Sequence, residues 1–275
     1  MITASLVLYK TPDDQLERVL RCVENSSVAR VYVYDNSSSE ASREVCRRFA
    51  KAEYHPHENT GYGATHNLGI RAARSAGSDW HLVLNPDIWF GDGVVERLEA
   101  FAAADPSIGQ VMPRVVYPDG SLQYLCKLLP RPWDLFVRRF MPKAMRERGD
   151  RRFCLRFTGY DRVMEVPYLS GCFMFFRMEA LVAAGGFDER FFMYPEDIDL
   201  TRRVHRTFRT LYYPEVTVTH DHGGASYHSA KMLWVHIVNM CRYFNKWGWL
   251  VDRERTEVNR RVLEQLNYKK EDKIR

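Results

Sequence analysis

Apolar and polar positions alternate in blocks along the first 110 residues. Ile2–Tyr9, Val31–Tyr34 and His81–Leu84 are short runs rich in β-branched and aromatic side chains, and they are predicted as buried parallel strands. Between them, Asp13–Glu24, Glu40–Lys51 and Ala64–Ala76 carry apolar residues at spacings of three and four and are predicted as helices. Strand and helix in alternation predict a doubly wound α/β sheet with helices on both faces. Ligands of such sheets bind where loops leave the carboxyl ends of strands. Three polar clusters stand at such ends: Lys10-Thr11-Pro12, Asp35-Asn36-Ser37-Ser38-Ser39 and Asn85-Pro86-Asp87.

The second half is less regular. Val166–Phe176 reads as another buried strand, Glu179–Ala184 and Ile198–His205 as helices, and Thr210–Tyr213 as a strand. Two long helical patterns close the chain, at Ser229–Lys246 and Asp252–Leu266. Without repeats or a flexible linker, one domain over residues 1–228 with a helical extension at 229–275 is expected.

Composition narrows the classes. The 275 residues are 45% hydrophobic and 27% charged, an ordinary globular balance. Gly and Pro together number 28, too few for a collagen-like or low-complexity chain. The longest uncharged apolar runs, such as Met232–Cys241, stop short of the roughly 18–20 residues that span a bilayer. The first residues lack the basic start and cleavage site of a signal peptide, so a cytoplasmic location is expected. Six scattered cysteines (22, 46, 126, 154, 172 and 241) include no CxxC pair and read as reduced thiols.

Charge is unevenly placed. Of the net +5, residues 131–162 alone hold ten Arg or Lys against four acids, interleaved with Trp133, Phe136, Phe140, Met141, Phe153 and Phe157. Residues 242–275 add ten basic against six acidic side chains, with Trp247 and Trp249 nearby. A solvated basic face, an oligomer contact, and peripheral contact with an anionic membrane all fit this pattern. Nucleic acid is not expected, because no matching fold motif accompanies the arginines.

Several clusters could carry chemistry. Asp87, two residues after Asn85 at a strand end, suits a divalent ion that also holds a diphosphate, although Asn-Pro-Asp is equally good turn chemistry. Asp35-Asn36-Ser37-Ser38 offers acceptors and hydroxyls for a base or ribose, or caps the next helix. Asn59-Thr60-Gly61-Tyr62-Gly63-Ala64 is a glycine-bearing turn opening a helix; His66 stands where a dinucleotide fingerprint needs its third glycine. Glu196, Asp197 and Asp199 lie close to Phe191, Phe192 and Tyr194 and could supply a general base, or simply stabilise a helix start. His220-Asp221-His222 could bind metal; no HExxH accompanies it, which disfavours a zinc hydrolase.

In order and spacing these stretches resemble the family 2 inverting glycosyltransferases of GT-A fold, and within them the rhamnosyltransferase-like enzymes of bacterial surface-polysaccharide assembly. The matching stretches include Ser5–Tyr9, Asp35–Ser38, Asn59-x-Gly61-Tyr62-Gly63 with Asn67-x-Gly69, Leu84–Asp87 and Gly171–Met174. Gly185–Glu189, Phe192–Leu200 and His220 complete them, so the likeness covers about residues 2–226. The fold implied is a Rossmann-like mixed, mostly parallel sheet flanked by helices, with a C-terminal helical extension. Residues 1–110 would be the nucleotide-binding half and 111–228 the acceptor-binding half.

The resemblance implies roles residue by residue. Tyr9, Asp35, Asn36, Asn59, Gly61, Gly63, Asn67, Asn85 and Pro86 would bind the nucleotide sugar. Asp87 would hold Mg²⁺ or Mn²⁺ against the donor diphosphate, with Asn85 replacing the first Asp of the family's Asp-x-Asp. His220 would complete the metal site, with His222 as the competing ligand. Asp197, beside Glu196, would be the base that deprotonates the acceptor hydroxyl, and Arg203 would steady the diphosphate or acceptor. Gly171, Tyr194 and Glu196 would meet the acceptor. The implied reaction moves a sugar, with dTDP-rhamnose the first expectation and a UDP-hexose or UDP-galactofuranose the alternative. The acceptor would be a glycan or a polyprenyl-diphosphate-linked glycan. An inactive sugar-nucleotide-binding scaffold is the reading from another class. A sugar nucleotidyltransferase is disfavoured, because Lys10-Thr11-Pro12 is not the Gly-rich loop it needs after the first strand.

Overall fold

A computed structural model describes residues 1–134, 141–221 and 230–269. Four strands, β1 (Ile2–Leu8), β2 (Val28–Asp35), β3 (Ala52–Pro56) and β4 (Trp80–Leu84), run parallel. They are joined by α1 (Asp13–Glu24), α2 (Glu40–Cys46) and α3 (Tyr62–Ser75). Then come β5 (Ile88–Phe90), α4 (Val94–Ala103), β6 (Ile108–Val116), β7 (Cys126–Lys127), α5 (Lys143–Phe153), β8 (Met164–Glu165) and β9 (Tyr168–Leu169). The described chain closes with β10 (Phe173–Arg177), α6 (Met178–Ala184), α7 (Glu196–His205), β11 (Arg209–His220), α8 (Ala230–Trp247) and α9 (Arg253–Gln265). The main sheet has the order β3-β2-β1-β4-β10-β6-β11-β5, with β8 also paired to β11. Strand β10 runs antiparallel between β4 and β6, so the sheet is mixed.

Strand β1 is central and buried at all seven positions, so both of its faces need partners. Its apolar residues Leu6 and Leu8 join the larger core, which also holds Leu16, Leu82 and Phe175. Its polar residues Thr3 and Ser5 are satisfied internally: Thr3 Oγ1 lies 2.9 Å from His81 Nδ1, and Ser5 Oγ lies 2.7 Å from His66 Nδ1. Such pairing removes most of the penalty of burying a hydroxyl. A second core, on Val83, Met174, Phe176, Phe187 and Leu200, lies under α3, α6 and α7.

Sequence and structure part company at several elements, and β3, α4 and β6 were not anticipated. The strand expected over Val166–Phe176 is broken between β9 and β10, and the break carries Gly171 and Cys172 into the site. The strand expected at Thr210–Tyr213 extends to Arg209–His220, with an irregular register between Tyr213 and Thr217 around Pro214. That length is what delivers His220 to the sheet's functional edge. The helix expected to run to Lys51 ends at Cys46.

The C-terminal helices pack into the body of the molecule. Arg202 of α7 makes two 2.8 Å hydrogen bonds to Asp252, with both side chains almost fully buried. Asn259 of α9 pairs with both backbone groups of Leu129 at 2.8 and 2.9 Å.

Candidate active site

The carboxyl end of β4, the start of β10 and the end of β11 meet at one place. Phe173 pairs with Leu84, and Asn85 N donates to the Cys172 carbonyl at 3.0 Å. His220 pairs with Ile88, and Asp221 N donates to the Asp87 carbonyl at 2.9 Å. Two backbone contacts thus fix the Asn85-Pro86-Asp87 turn between Gly171-Cys172 on one side and His220 on the other.

Asp87 and His220 form the first functional pair, with Asp87 Oδ1 3.3 Å from His220 Nε2. Gln123 sets the imidazole. Its Nε2 donates to the His220 carbonyl at 2.7 Å, which leaves its Oε1 2.9 Å from His220 Nδ1. Nδ1 therefore carries a proton, and Nε2 faces the Asp87 carboxylate oxygen, with a second proton on the ring when no cation lies between them. Two acceptors so close need a proton or a cation between them. Burial opposes charge on this ring, but Cys172 and the Asp87 carboxylate outweigh it and push the imidazole up to about 10. One carboxylate oxygen and one imidazole nitrogen, oriented by a hydrogen bond from behind, fit a divalent cation. Among the described residues no group of three or more His, Cys, Asp or Glu is gathered for a metal, so such an ion would draw its other ligands from substrate and water.

The second pair is Glu196 and Asp197 at the start of α7. Backbone N–H groups hold Asp197: Gly171 N donates to Oδ2 at 3.0 Å and Ile198 N to Oδ1 at 2.8 Å. A Cβ at Gly171 would lie 3.1 Å from Asp197 Cβ, so the close approach depends on glycine there. Glu196 is 5% exposed, and its Oε2 has no hydrogen-bond partner within the described chain. Burial, then the neighbouring Asp197 charge, pushes Glu196 up to about 8. Burial also raises Asp197, but the Lys127 charge and its two backbone donors oppose the shift. At neutral pH Glu196 therefore holds the proton more strongly than Asp197, which leaves Asp197 the better placed of the two to accept one.

Tyr62 joins the two pairs. Its hydroxyl lies 2.9 Å from Asn85 Oδ1 and 2.9 Å from the carbonyl oxygen of Gly171, whose N–H holds Asp197. Sequence reasoning named the glycines on either side of Tyr62 and passed over the tyrosine. Gln123 and Lys127 were missed as well, because neither lies in a pattern and only tertiary pairing brings them in.

Other expected site residues have structural work. Asp35 is buried, and its carboxylate accepts from Ser37 N, Ser37 Oγ, Ser39 N and the Tyr54 hydroxyl. Those donors hold its carboxyl below the usual range against the opposing effect of burial. Asn36 Nδ2 reaches Asn59 Oδ1 at 3.4 Å and Thr65 Oγ1 at 3.2 Å, tying the loop after β2 to the loop after β3 and to α3. Asn67 clamps both backbone groups of Phe187 at 2.8 and 2.9 Å. Gly61 has φ 105°, and a Cβ there would come within 2.4 Å of the Phe192 carbonyl oxygen. Gly63 is packed in the same way against Phe187, where a Cβ would lie 2.9 Å from that side chain's Cβ. Tyr9 is exposed at the end of β1, and Pro86 is half-buried between Asn85 and Asp87. Tyr194 is half-buried with its ring centroid 5.3 Å from that of His236 on α8. Arg203 is not brought to the site: its Nε donates to Asp199 at 2.8 Å and another nitrogen to the Ala184 carbonyl. His222 lies outside the described residues.

Comparison with known proteins agrees with this geometry. Residues 7–182 match the model for Glycosyl transferase family 2. An N-acetylglucosaminyl-diphospho-decaprenol L-rhamnosyltransferase of Mycobacterium tuberculosis is 30% identical over 227 residues, covering 76% of this chain and 73% of that protein. Rhamnosyltransferase WbbL of Escherichia coli K12 is 25% identical over 222 residues, 78% of this chain and 81% of its own. In fold, the chain is similar to GalNAc-T7 solved with UDP, GalNAc and Mn²⁺ (TM-score 0.58, 14% identity), covering 95% of this chain but only about half, 47%, of that one. It is also similar to the Pyrobaculum calidifontis mannosyltransferase PcManGT solved with GDP-Man and Mn²⁺ (TM-score 0.56, 16% identity), over 97% of this chain and 74% of that one. The protein is a glycosyltransferase. Within that class, the chain belongs to glycosyl transferase family 2.

Proposed function

We propose that the protein transfers L-rhamnose from dTDP-rhamnose to a hydroxyl of a glycan carried on a polyprenyl diphosphate, with inversion at the anomeric carbon. The observation that carries the reading is the Tyr62 bridge, which couples the Asn85-Pro86-Asp87 turn to the Gly171 peptide that holds Asp197. Donor-side and acceptor-side groups thereby share one rigid frame. Rhamnose and the lipid-linked acceptor are supported by the relatives, one of which is named for L-rhamnosyl transfer to N-acetylglucosaminyl-diphospho-decaprenol.

In this reading Asp197 accepts the proton of the attacking hydroxyl. Its two backbone donors fix the direction of its lone pairs, and protonated Glu196 keeps a second negative charge away from it. Inversion by direct displacement needs one base and a stabilised leaving group, with no enzyme nucleophile. Asp87 and His220 would hold Mg²⁺ or Mn²⁺, with Gln123 fixing the imidazole. A bound divalent ion would neutralise charge developing on the departing nucleoside diphosphate. Asn36 and Asn59 shape the donor pocket by fixing the loops at the ends of β1, β2 and β3, and Asn67 by holding the Phe187 backbone.

Thermal-shift titration with dTDP, UDP and GDP, each with and without Mn²⁺, tests the donor assignment. Ligand that binds only the native state raises the melting temperature by mass action. A metal-dependent shift selective for dTDP is expected. A UDP-selective shift would replace rhamnose with a hexose, and no shift with any nucleotide would leave a scaffold as the better reading.

A further inference from the structure

The corner between α8 and α9 carries the most exposed large apolar side chains of the described chain: Leu250 is 90% and Val251 80% exposed, with Trp249 beside them at 43%. Looseness does not explain this exposure. Gly248 N donates to the Phe244 carbonyl at 2.8 Å, closing α8. Arg255, itself 3% exposed, reaches beneath the corner and donates to the carbonyls of Gly248, Trp249 and Leu250 at 3.3, 3.2 and 3.5 Å. Asp252 caps α9 while Arg202 grips its carboxylate. The backbone is fixed from behind, and the apolar side chains are held out into water.

The same Arg255 donates to the Pro130 carbonyl at 3.3 Å, so the start of the basic segment lies beside the corner. Trp133, 62% exposed, belongs to that stretch. Arg131 and Arg253 are exposed next to it, while the nearby Glu254 is already neutralised by Arg202 and Arg206. Single exposed apolar residues are ordinary; a rigid, convex group of them flanked by cations is not.

We propose that this corner docks the enzyme on an anionic lipid bilayer. Leu250 and Val251 enter the headgroup boundary, Trp249 lies at its edge with its indole held by Asn245 and Phe244, and Arg131 and Arg253 meet lipid phosphates. Lipid is favoured over a second copy because the few exposed apolar side chains of this corner fall far short of the roughly 800 Å² per partner of a stable dimer. The basic excess over residues 131–162 and 242–275 has the sign that attracts an anionic surface. Trp247 does not belong to this surface, although the sequence pattern grouped it with Trp249: its indole donates to Asp199 at 2.8 Å and lies under Arg202. The inference rests on these side chains alone and goes beyond the choice of donor and acceptor.

The test is flotation of the full chain with vesicles of phosphatidylcholine and phosphatidylglycerol, against vesicles of phosphatidylcholine alone. Wild type is expected to float with the anionic vesicles and to bind the neutral ones less. The double substitution Leu250→Ser/Val251→Ser is expected to weaken anionic-vesicle binding about tenfold or more. Its melting temperature and its transfer to a short, water-soluble acceptor should not change. A variant that floats as wild type does, or a wild type that floats with neither vesicle, overturns the proposal. A variant that turns a dimer into a monomer on size exclusion assigns the corner to a second copy and overturns it too.

Discussion

Replacing Glu196 by glutamine tests the electrostatics of the site through stability as well as rate. The fold holds this carboxyl at about 8, against an ordinary value of 4.5. A carboxyl raised by folding favours the folded state fully below its unfolded value, and that advantage is lost as pH rises through the folded value. At pH 7 the unfolded chain ionises Glu196 and the folded chain does not, which costs about 3 kcal/mol; by pH 9 the cost approaches about 5 kcal/mol. Glutamine has nearly the same shape and never ionises. Glu196→Gln should therefore match wild type near pH 4.5 and melt roughly 6–12 °C higher at pH 7, with a still larger gap at pH 9. The assay is thermal or urea unfolding of both proteins across that range. A gap that stays constant with pH would refute the assignment of the proton to Glu196. Its activity is a second readout: Glu196 is already neutral where Asp197 ionises, so the ascending limb of the pH–rate profile should stay in place, while any change near pH 8 should disappear.

Four further predictions follow from the same contacts. Asp197→Asn should lower transfer by about 10²–10⁴-fold while leaving nucleotide binding nearly intact by titration calorimetry. Asp87→Ala should abolish the effect of Mn²⁺ on nucleotide-induced thermal shifts, as a chelator should in wild type. Tyr62→Phe should cost about 1–2 kcal/mol in urea unfolding and lower kcat about tenfold with little change in KM for the donor, because it loosens the frame without touching the nucleotide. Gly61→Ala should destabilise by more than about 2 kcal/mol, because its Cβ would strike the Phe192 carbonyl from a backbone angle that alanine avoids.

Much of this architecture was legible in the hydrophobic pattern. Strands β1 and β4 are mostly apolar runs because they are buried on both faces, and helices α1 and α3 show the three- and four-residue spacing of one buried side. The strand-end clusters marked the functional edge for the same reason: a parallel sheet brings successive carboxyl ends to one side. Legibility failed where pairing over long sequence distances decides the outcome. Within Val166–Phe176, Pro167 and Ser170-Gly171 are local signals of a break that the apolar run overshadows, and a carboxylate 26 residues away takes the Gly171 N–H. Asp35 looked like a ligand because its loop is polar, yet that polarity is consumed within the loop. Arg203 follows Asp197 on the same helix, but helical spacing turns it towards Asp199 and the Ala184 carbonyl. Glu196 and Asp197 stood out as acids beside aromatics at a helix start, and the family resemblance singled out Asp197, whereas the division of charge between them emerged only with burial and hydrogen bonds in hand.

The most direct measurement is single-turnover transfer with dTDP-rhamnose, Mn²⁺ and a short N-acetylglucosaminyl diphospholipid acceptor, comparing wild type with Asp197→Asn. Release of dTDP and formation of the disaccharide product would both be followed. The account predicts one product per dTDP released by wild type, with inverted anomeric configuration, and both processes slowed about 10²–10⁴-fold in the variant. Transfer by Asp197→Asn at the wild-type rate, or a retained anomeric configuration, would contradict it.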